Sequence, residues 1–295
     1  MAKLRISLTQ AIKKLEIPTR RRVTTSFVGS YKSVFKGSGL EFEGYRDYTA
    51  GDDARLIDWK ASLRVGKTLM KEFEEERELN VFILIDVSSS MLFGTTQKLK
   101  NEYAAEVAAS LSFAVLKAGD AVGFGLLSDT IVHKSFPLKD NKQFYLLLRS
   151  LTDIRNYGRG YKLRAALEYL FAHLKHGSTL IIISDFIGME KDWEKILGVI
   201  KRKFDVIGIM VRDPCDRALP NTDMWVLVED TFSEKQQLIN PKIIGEKYRK
   251  YAAEQEENIK NAFMRIGAGF IPLSTAQDFS APIINYFKRR AKGPL

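Results

Sequence analysis

From residue 81 onward the chain alternates short unbroken apolar runs with longer stretches whose apolar residues recur every three or four positions. The clearest run is Val81 to Ile85, within VFILIDVSSSM. Five apolar residues in a row are too few for a lone helix and are what a strand buried on both faces looks like. Behind it Leu99, Tyr103, Val107, Leu111 and Ala114 recur at helical spacing and predict a helix over Lys98 to Leu116. Ala121 to Leu127 then reads as a strand with Thr130 to Phe136 as its hairpin partner, and Phe144 to Leu151 and Leu163 to Leu174 read as helices. Thr179 to Ile183 is a second wholly apolar run. A helix over Trp193 to Ile200 and a strand over Val206 to Val211 follow, then a hairpin within Met224 to Leu238. Asn240-Pro241 opens the longest helix and Gly267 closes it, before a short strand at Phe270 to Leu273 and a terminal helix at Pro282 to Lys288. This repetition predicts a doubly wound α/β fold.

The first 75 residues lack that rhythm. Leu4, Leu8, Ile12 and Leu15 predict a short helix that Pro18 stops, and Val23 to Gly29 and Tyr31 to Phe35 read as extended pieces. Gly37-Ser38-Gly39 invites comparison with a phosphate loop, but no strongly apolar strand precedes it and the third glycine is missing. From Gly39 to Trp59 acidic, basic and aromatic residues mix without a period. That mixture predicts Arg46, Arg55 and Arg64 bonded to Asp52, Asp53 or Asp58 beside Tyr48 and Trp59, clamping an irregular segment onto the main domain rather than forming an active or binding surface. Thr68 to Glu78 reads as an extended stretch feeding into the central strand. The expected division is an N-terminal segment, 1–75, packed on a main domain, 76–295.

Composition narrows the function. The 45% hydrophobic content supports a globular core, no stretch approaches the ~20 apolar residues of a membrane span, and the N-terminus has no secretion-signal pattern. A lone Cys215 forms no internal disulfide. A cytoplasmic protein is expected. The net charge of +10 raises nucleic acid as a partner. The basic clusters at Arg20 to Arg22 and Lys288 to Arg290 are short, however, and the acidic run from Glu72 to Glu78 dilutes them, which makes that partner unlikely.

Candidate chemistry gathers where the two apolar runs end. Asp86, Ser88 and Ser90 follow the first in the spacing Asp-x-Ser-x-Ser, and Ser184-Asp185 follow the second. If the strands lie parallel and adjacent, both carboxylates fall on the carboxyl rim, where open α/β sheets bind ligands. Hard oxygen donors of this kind suit magnesium or manganese. The alternative is that the serines cap the next helix and Asp86 bonds loop amides. The three histidines, His133, His173 and His176, sit in no catalytic motif.

With Met91, the Asp86-x-Ser88-x-Ser90 motif and the later Ser184-Asp185 resemble the von Willebrand factor A domain. Together with the upstream Gly51-Asp-Asp-x-Arg55-x-Ile57-Asp58-Trp59, they resemble the family called domain of unknown function 58, over roughly residues 20 to 215. The resemblance implies a Rossmann-like sheet flanked by helices, with a metal-ion-dependent adhesion site on its rim. Two serines and a threonine there contact magnesium or manganese, two aspartates act mostly through water, and an open position accepts a partner protein's carboxylate. Asp86, Ser88, Ser90 and Asp185 match four of these five roles. At the threonine's place the chain reads Gly158-Arg159-Gly160-Tyr161-Lys162-Leu163, with Tyr161 in the threonine's position, and Arg159 or Lys162 would put a cation where the metal would sit. The implied function is a non-enzymatic binding module whose partner is a MoxR-type AAA+ ATPase in complex assembly. The alternatives are a metal-dependent hydrolase and a nucleic-acid-associated protein using basic termini. An exposed rim also implies that Asp86→Ala would leave folding intact.

Overall fold

A strand with no polar side chain for either face needs cover on both sides. In the computed structural model, which describes residues 16, 19, 25–34, 40–49, 52–75, 79–158, 160–233 and 235–291, the Val81 run becomes β3 (Asn80–Asp86). It lies between β4 (Ala121–Leu127) and β6 (Thr179–Ser184), parallel to both. The sheet continues through β7 (Asp205–Arg212) to β10 (Gly269–Ser274) on one side and ends at β5 (Ile131–Leu138) on the other, the antiparallel partner of β4. Counted from β3, the order is 3-2-1-4-5-6, the doubly wound order, with its switch point between β3 and β6.

The period of two decides what each face meets. Phe82 and Leu84 of β3 join Leu180 and Ile182 of β6 in a core shared with α5 (Leu163–His173), α6 (Trp193–Lys201) and α8 (Pro241–Arg265). Helix α3 (Lys100–Ala118) packs along β3 and β4, and α4 (Lys142–Thr152) packs against α3 and β4. Helix α8 starts as expected, with Asn240 Oδ1 accepting from the Lys242 amide at 3.0 Å and Pro241 in its first turn. The terminal helix is α9 (Ser280–Arg290). The hairpin β8 (Val226–Glu229) and β9 (Gln236–Ile239) forms as expected, but Trp225 and Leu227 point to solvent.

The N-terminal third departs from expectation. Thr25–Val34 is a helix, α1, not two extended pieces. Phe27 and Tyr31, four apart, are both buried, the Tyr31 ring meets Phe287 edge-on at 6.0 Å, and its hydroxyl donates to Asp120 Oδ2 at 3.0 Å. Tertiary packing outweighs the β-leaning local composition here. The compact units are 1–34 with 80–295, and 35–79, so the division falls at 79/80 rather than 75/76, and α1 belongs with the large sheet. The helix expected over Leu4 to Leu15, the basic cluster Arg20 to Arg22 and Gly37 to Gly39 lie outside the described residues.

The smaller unit is more regular than its sequence suggests. Strand β1 (Leu40–Asp47) pairs antiparallel with β2 (Leu69–Glu75) in a two-stranded sheet of their own, so β2 does not extend the central strand. Between them runs α2 (Trp59–Val65), capped by Asp58 and closed by Gly66 in the left-handed region at φ 75°. Arg46 grips Asp52 through two bonds of 2.7 and 2.8 Å, and Arg55 grips Asp53. Asp58 is held instead by the Tyr45 hydroxyl at 3.0 Å and Lys71 at 3.4 Å. Two of the expected arginine–aspartate forks form among the described residues, without Arg64, and they brace turns within this unit instead of clamping it onto the main domain.

Two glycines make opposite predictions. A Cβ on Gly123 of β4 would stand 2.6 Å from backbone atoms of Ser135 and Pro137 in β5, whereas one on Gly245 of α8 would meet nothing within 4 Å. Gly123→Ala is expected to cost about 1–3 kcal/mol, and Gly245→Ala to stabilise by roughly 0.5–1 kcal/mol. Urea unfolding of both variants reads the two signs.

Candidate functional site at the sheet rim

Parallel pairing matches Ile85 of β3 with Ile183 of β6, so the next residues, Asp86 and Ser184, sit level on the rim. The Ser184 hydroxyl donates to Asp86 Oδ2 at 2.6 Å, and the Ser88 amide donates to Asp86 Oδ1 at 2.8 Å. Ser88 and Ser90 bring their hydroxyl oxygens to 3.2 Å of each other. Asp185 turns its Oδ1 to the Ile187 amide at 2.9 Å. The structure therefore brings all four expected residues to one rim. The serines do not cap α3: Ser88 leads a single 3-10 turn, Ser89–Leu92, without a side-chain cap bond.

The rim is not exposed. Asp86 is 1% accessible, and Ser88, Ser90 and Asp185 are buried with it, which corrects the expectation that Asp86 is a surface group. Burial first, and the neighbouring Asp185 charge second, push the Asp86 carboxyl up to about 7.

A residue outside both motifs supplies the positive charge. Lys100, the first residue of α3, is 1% accessible and donates from Nζ to Asp185 Oδ2 at 2.7 Å and to Asp216 Oδ2 at 2.9 Å. Asp216 lies in α7 (Pro214–Arg217) and also accepts from the Asp213 amide at 2.9 Å. Asp213 in turn accepts from the Thr95 amide at 2.8 Å and the Thr95 hydroxyl at 2.5 Å, from the Cys215 amide and from Thr275. Burial works against the Asp213 charge, but these bonds together hold its carboxyl below the usual range. The signal for Lys100 was present: it lies one turn ahead of Tyr103 on the apolar stripe of α3, and a lysine on a core stripe needs a carboxylate partner. Asp216 carried no comparable signal.

The donor set does not fit an open divalent site. The Tyr161 side chain, at the threonine's place, is buried with its hydroxyl 3.1 Å from Ser184 Oγ, and burial followed by the Asp86 charge keeps the phenol protonated. Both Asp185 oxygens are engaged, one by an ammonium. The expected ligands are too deeply buried for a partner's carboxylate to reach a metal among them. Lys162 is exposed and Arg159 lies outside the described residues; the cation that contacts Asp185 is Lys100. Among the described residues no cluster of three or more His, Cys, Asp or Glu is arranged to hold a metal ion.

Two of the three histidines, His133 and His173, pack on aromatic rings. His173 stacks on Tyr169 at 4.1 Å, with Nδ1 2.8 Å from the Tyr169 carbonyl, and His133 stacks on Phe124 at 5.8 Å. A groove of about 820 Å³ opens beside the rim, between the loop after β6 and α8. Glu190, Glu194, Lys191 and Lys195 line it with Trp193 and Tyr251, a mixed-charge wall without a catalytic pair.

Asp86 makes the folded state pH-dependent. Its folded pKa lies above the ~3.9 of a free aspartate, so between about pH 4 and 7 the folded chain holds a proton that the unfolded chain releases. Unfolding free energy from this group is expected to fall as pH rises through that window, by on the order of a few kcal/mol. Asp86→Asn should flatten the slope in urea unfolding between about pH 4 and 7, and an unchanged slope would assign the dependence elsewhere.

An uncharacterized protein of Mycobacterium tuberculosis (strain H37Rv) is 25% identical to this chain over 291 residues, 98% of this chain and 91% of the other. The uncharacterized protein YeaD of Bacillus subtilis (strain 168) is 37% identical over 107 residues, 36% of this chain and 24% of that one. Among solved structures the chain is similar to the conserved hypothetical protein BatB of Bacteroides thetaiotaomicron, at 14% identity and a TM-score of 0.47, over 73% of this chain and 100% of that one. It is also similar to a von Willebrand factor type A protein of Catenulispora acidiphila, at 12% identity and a TM-score of 0.40, over 76% of this chain and 44% of that one. Among the described residues no helix is long and apolar enough to cross a membrane. The family described as "Protein of unknown function DUF58" matches residues 44–258, which include the Asp52 to Trp59 segment and the rim from Asp86 to Asp185, and the chain belongs to that family.

Proposed function

We propose that this chain is a non-enzymatic protein-interaction module whose partner docks over the switch-point rim. The observation that carries the reading is a braced apolar collar beside the buried charges. Leu92, Phe93 and Leu99 expose 43, 40 and 37% of their surfaces on the loop between β3 and α3. That loop is closed by the Lys100 amide donating to the Phe93 carbonyl at 2.9 Å and pinned by Thr95 on Asp213. Gly94 packs so closely that a Cβ there would lie 2.8 Å from Leu99 Cα. Exposed apolar side chains on a loop already ordered lose little freedom on binding, which favours recognition by a protein.

The hydrolase reading has less support. Ser150 Oγ lies 3.2 Å from His133 Nδ1, but its hydroxyl donates to the Leu146 carbonyl of its own helix at 2.8 Å and is buried, an arrangement of helix packing rather than of a nucleophile. At the basic C-terminus Arg290 is engaged by Asp205, which weakens the nucleic-acid reading. On the family resemblance, the proposed partner is a MoxR-type AAA+ ATPase and the proposed compartment the cytoplasm.

The test is co-sedimentation of the purified chain with the MoxR-type ATPase of the same genome, for the parent and for Leu92→Ser with Leu99→Ser. A complex weakened at least tenfold by the paired substitution, with the melting temperature unchanged, is the expected result. A complex indifferent to the collar, or no complex at all, would remove this rim or this partner respectively.

A further inference from the structure

We propose that Lys100 is a built-in cation that takes the place of a divalent metal at this rim, so that the collar keeps its geometry without any bound ion. The proposal concerns the charge that holds the rim together and is independent of which partner docks there.

A lysine is an unfavourable choice for the first residue of a helix, because its charge meets the positive end of the helix dipole. It is also rarely buried to 1% accessibility. Both penalties are tolerated only where carboxylates hold the ammonium, and here two do. Asp185 comes from the end of β6 and Asp216 from α7 beyond β7, so one ammonium ties three separate stretches of chain together. The remaining side of Nζ faces the Phe93 ring, 5.7 Å from its centroid. Phe93 is thus both a member of the collar and the lid over the ammonium.

A metal at such a rim would neutralise the carboxylates at the strand ends and fix the loop that follows β3. The ammonium does both, for Asp185 rather than for Asp86. It neutralises Asp185, and because Lys100 directly follows Leu99 and its amide holds the Phe93 carbonyl, anchoring Nζ also anchors the collar. The substitution of Tyr161 for a threonine agrees with this assignment, since its phenol lies against Ser184 Oγ. The Ser88 and Ser90 hydroxyls, 3.2 Å apart, are then partners of each other rather than ligands.

The test is calorimetric titration of magnesium and of manganese into chelator-treated protein, alongside melting curves with and without chelator. The parent, Lys100→Met, and the double variant Lys100→Met with Asp216→Asn are compared. The double variant removes one positive and one negative charge together, so it keeps the net charge of the cluster. The parent is expected to take up no metal at millimolar concentration and to melt at the same temperature with chelator. The variants should gain a metal site at least tenfold tighter than any in the parent, lost when Asp86→Ala is added. If both variants unfold in chelator, refolding on addition of magnesium supports the assignment and failure to refold overturns it. Metal uptake by the parent that Asp86→Ala abolishes would also overturn it, as would folded variants that take up no metal.

Discussion

Carboxylates brought to the ends of adjacent parallel strands repel one another, and little water reaches this rim to screen them. Asp86 and Asp185 are placed that way by the register of β3 and β6, and Asp216 is close enough to share a counter-ion with Asp185. The buried Lys100 ammonium relieves this repulsion at Asp185 and Asp216, while burial raises the Asp86 carboxyl toward its protonated form. Removing one member of a buried ion pair typically costs 3–5 kcal/mol, because the other charge is left without water or partner. The ammonium is therefore a constraint on the whole upper face, and the helix that carries it, the loop ahead of it and the short helix α7 are positioned around it.

The hydrogen bonds that radiate from this cluster are short and few of them reach solvent. Asp213 ties Thr95 to the ends of β7 and β10, through its own backbone position and the Thr275 hydroxyl. Asp86 ties β3 to β6 through Ser184. The polar residues of the rim thus serve as cross-braces between strand ends. Toward the outside the rim offers Leu92, Phe93 and Leu99, interspersed with the exposed polar Thr95 and Gln97, above a buried polar layer. Such a surface suits recognition of a protein better than turnover of a small substrate, which needs reacting groups open to the ligand.

The smaller unit follows the same logic at lower stakes. Its Arg55–Asp53 fork is exposed and adds little stability, the Arg46–Asp52 fork is half-buried, and both define turns ahead of α2, where Trp59 is 65% accessible. The family signature from Gly51 to Trp59 thus reads, in its described residues, as turn-forming chemistry that ends on an exposed aromatic.

The sequence by itself determined the alternation of strands and helices from residue 81 onward. Unbroken apolar runs such as Val81 to Ile85 have one stable environment, between two layers, and the three-to-four spacing of Leu99 to Ala114 leaves one face to bury. It also marked Asp86, Ser88, Ser90 and Asp185, because polar residues at the ends of buried strands have few places to go except the rim. It did not determine whether those groups face water, and there the tertiary structure decided otherwise. A residue's depth depends on what packs over it, and the cover here comes from the 89–99 loop with α3 directly behind it and from α7, far away in sequence. The same holds for Lys100 and Asp216, which are 116 residues apart and meet only because β7 ends beside β6. Residues 25–34 show the limit from the other side: their composition leans toward strand, but burying Phe27 and Tyr31 on one face against Phe287 and Asp120 requires a helix.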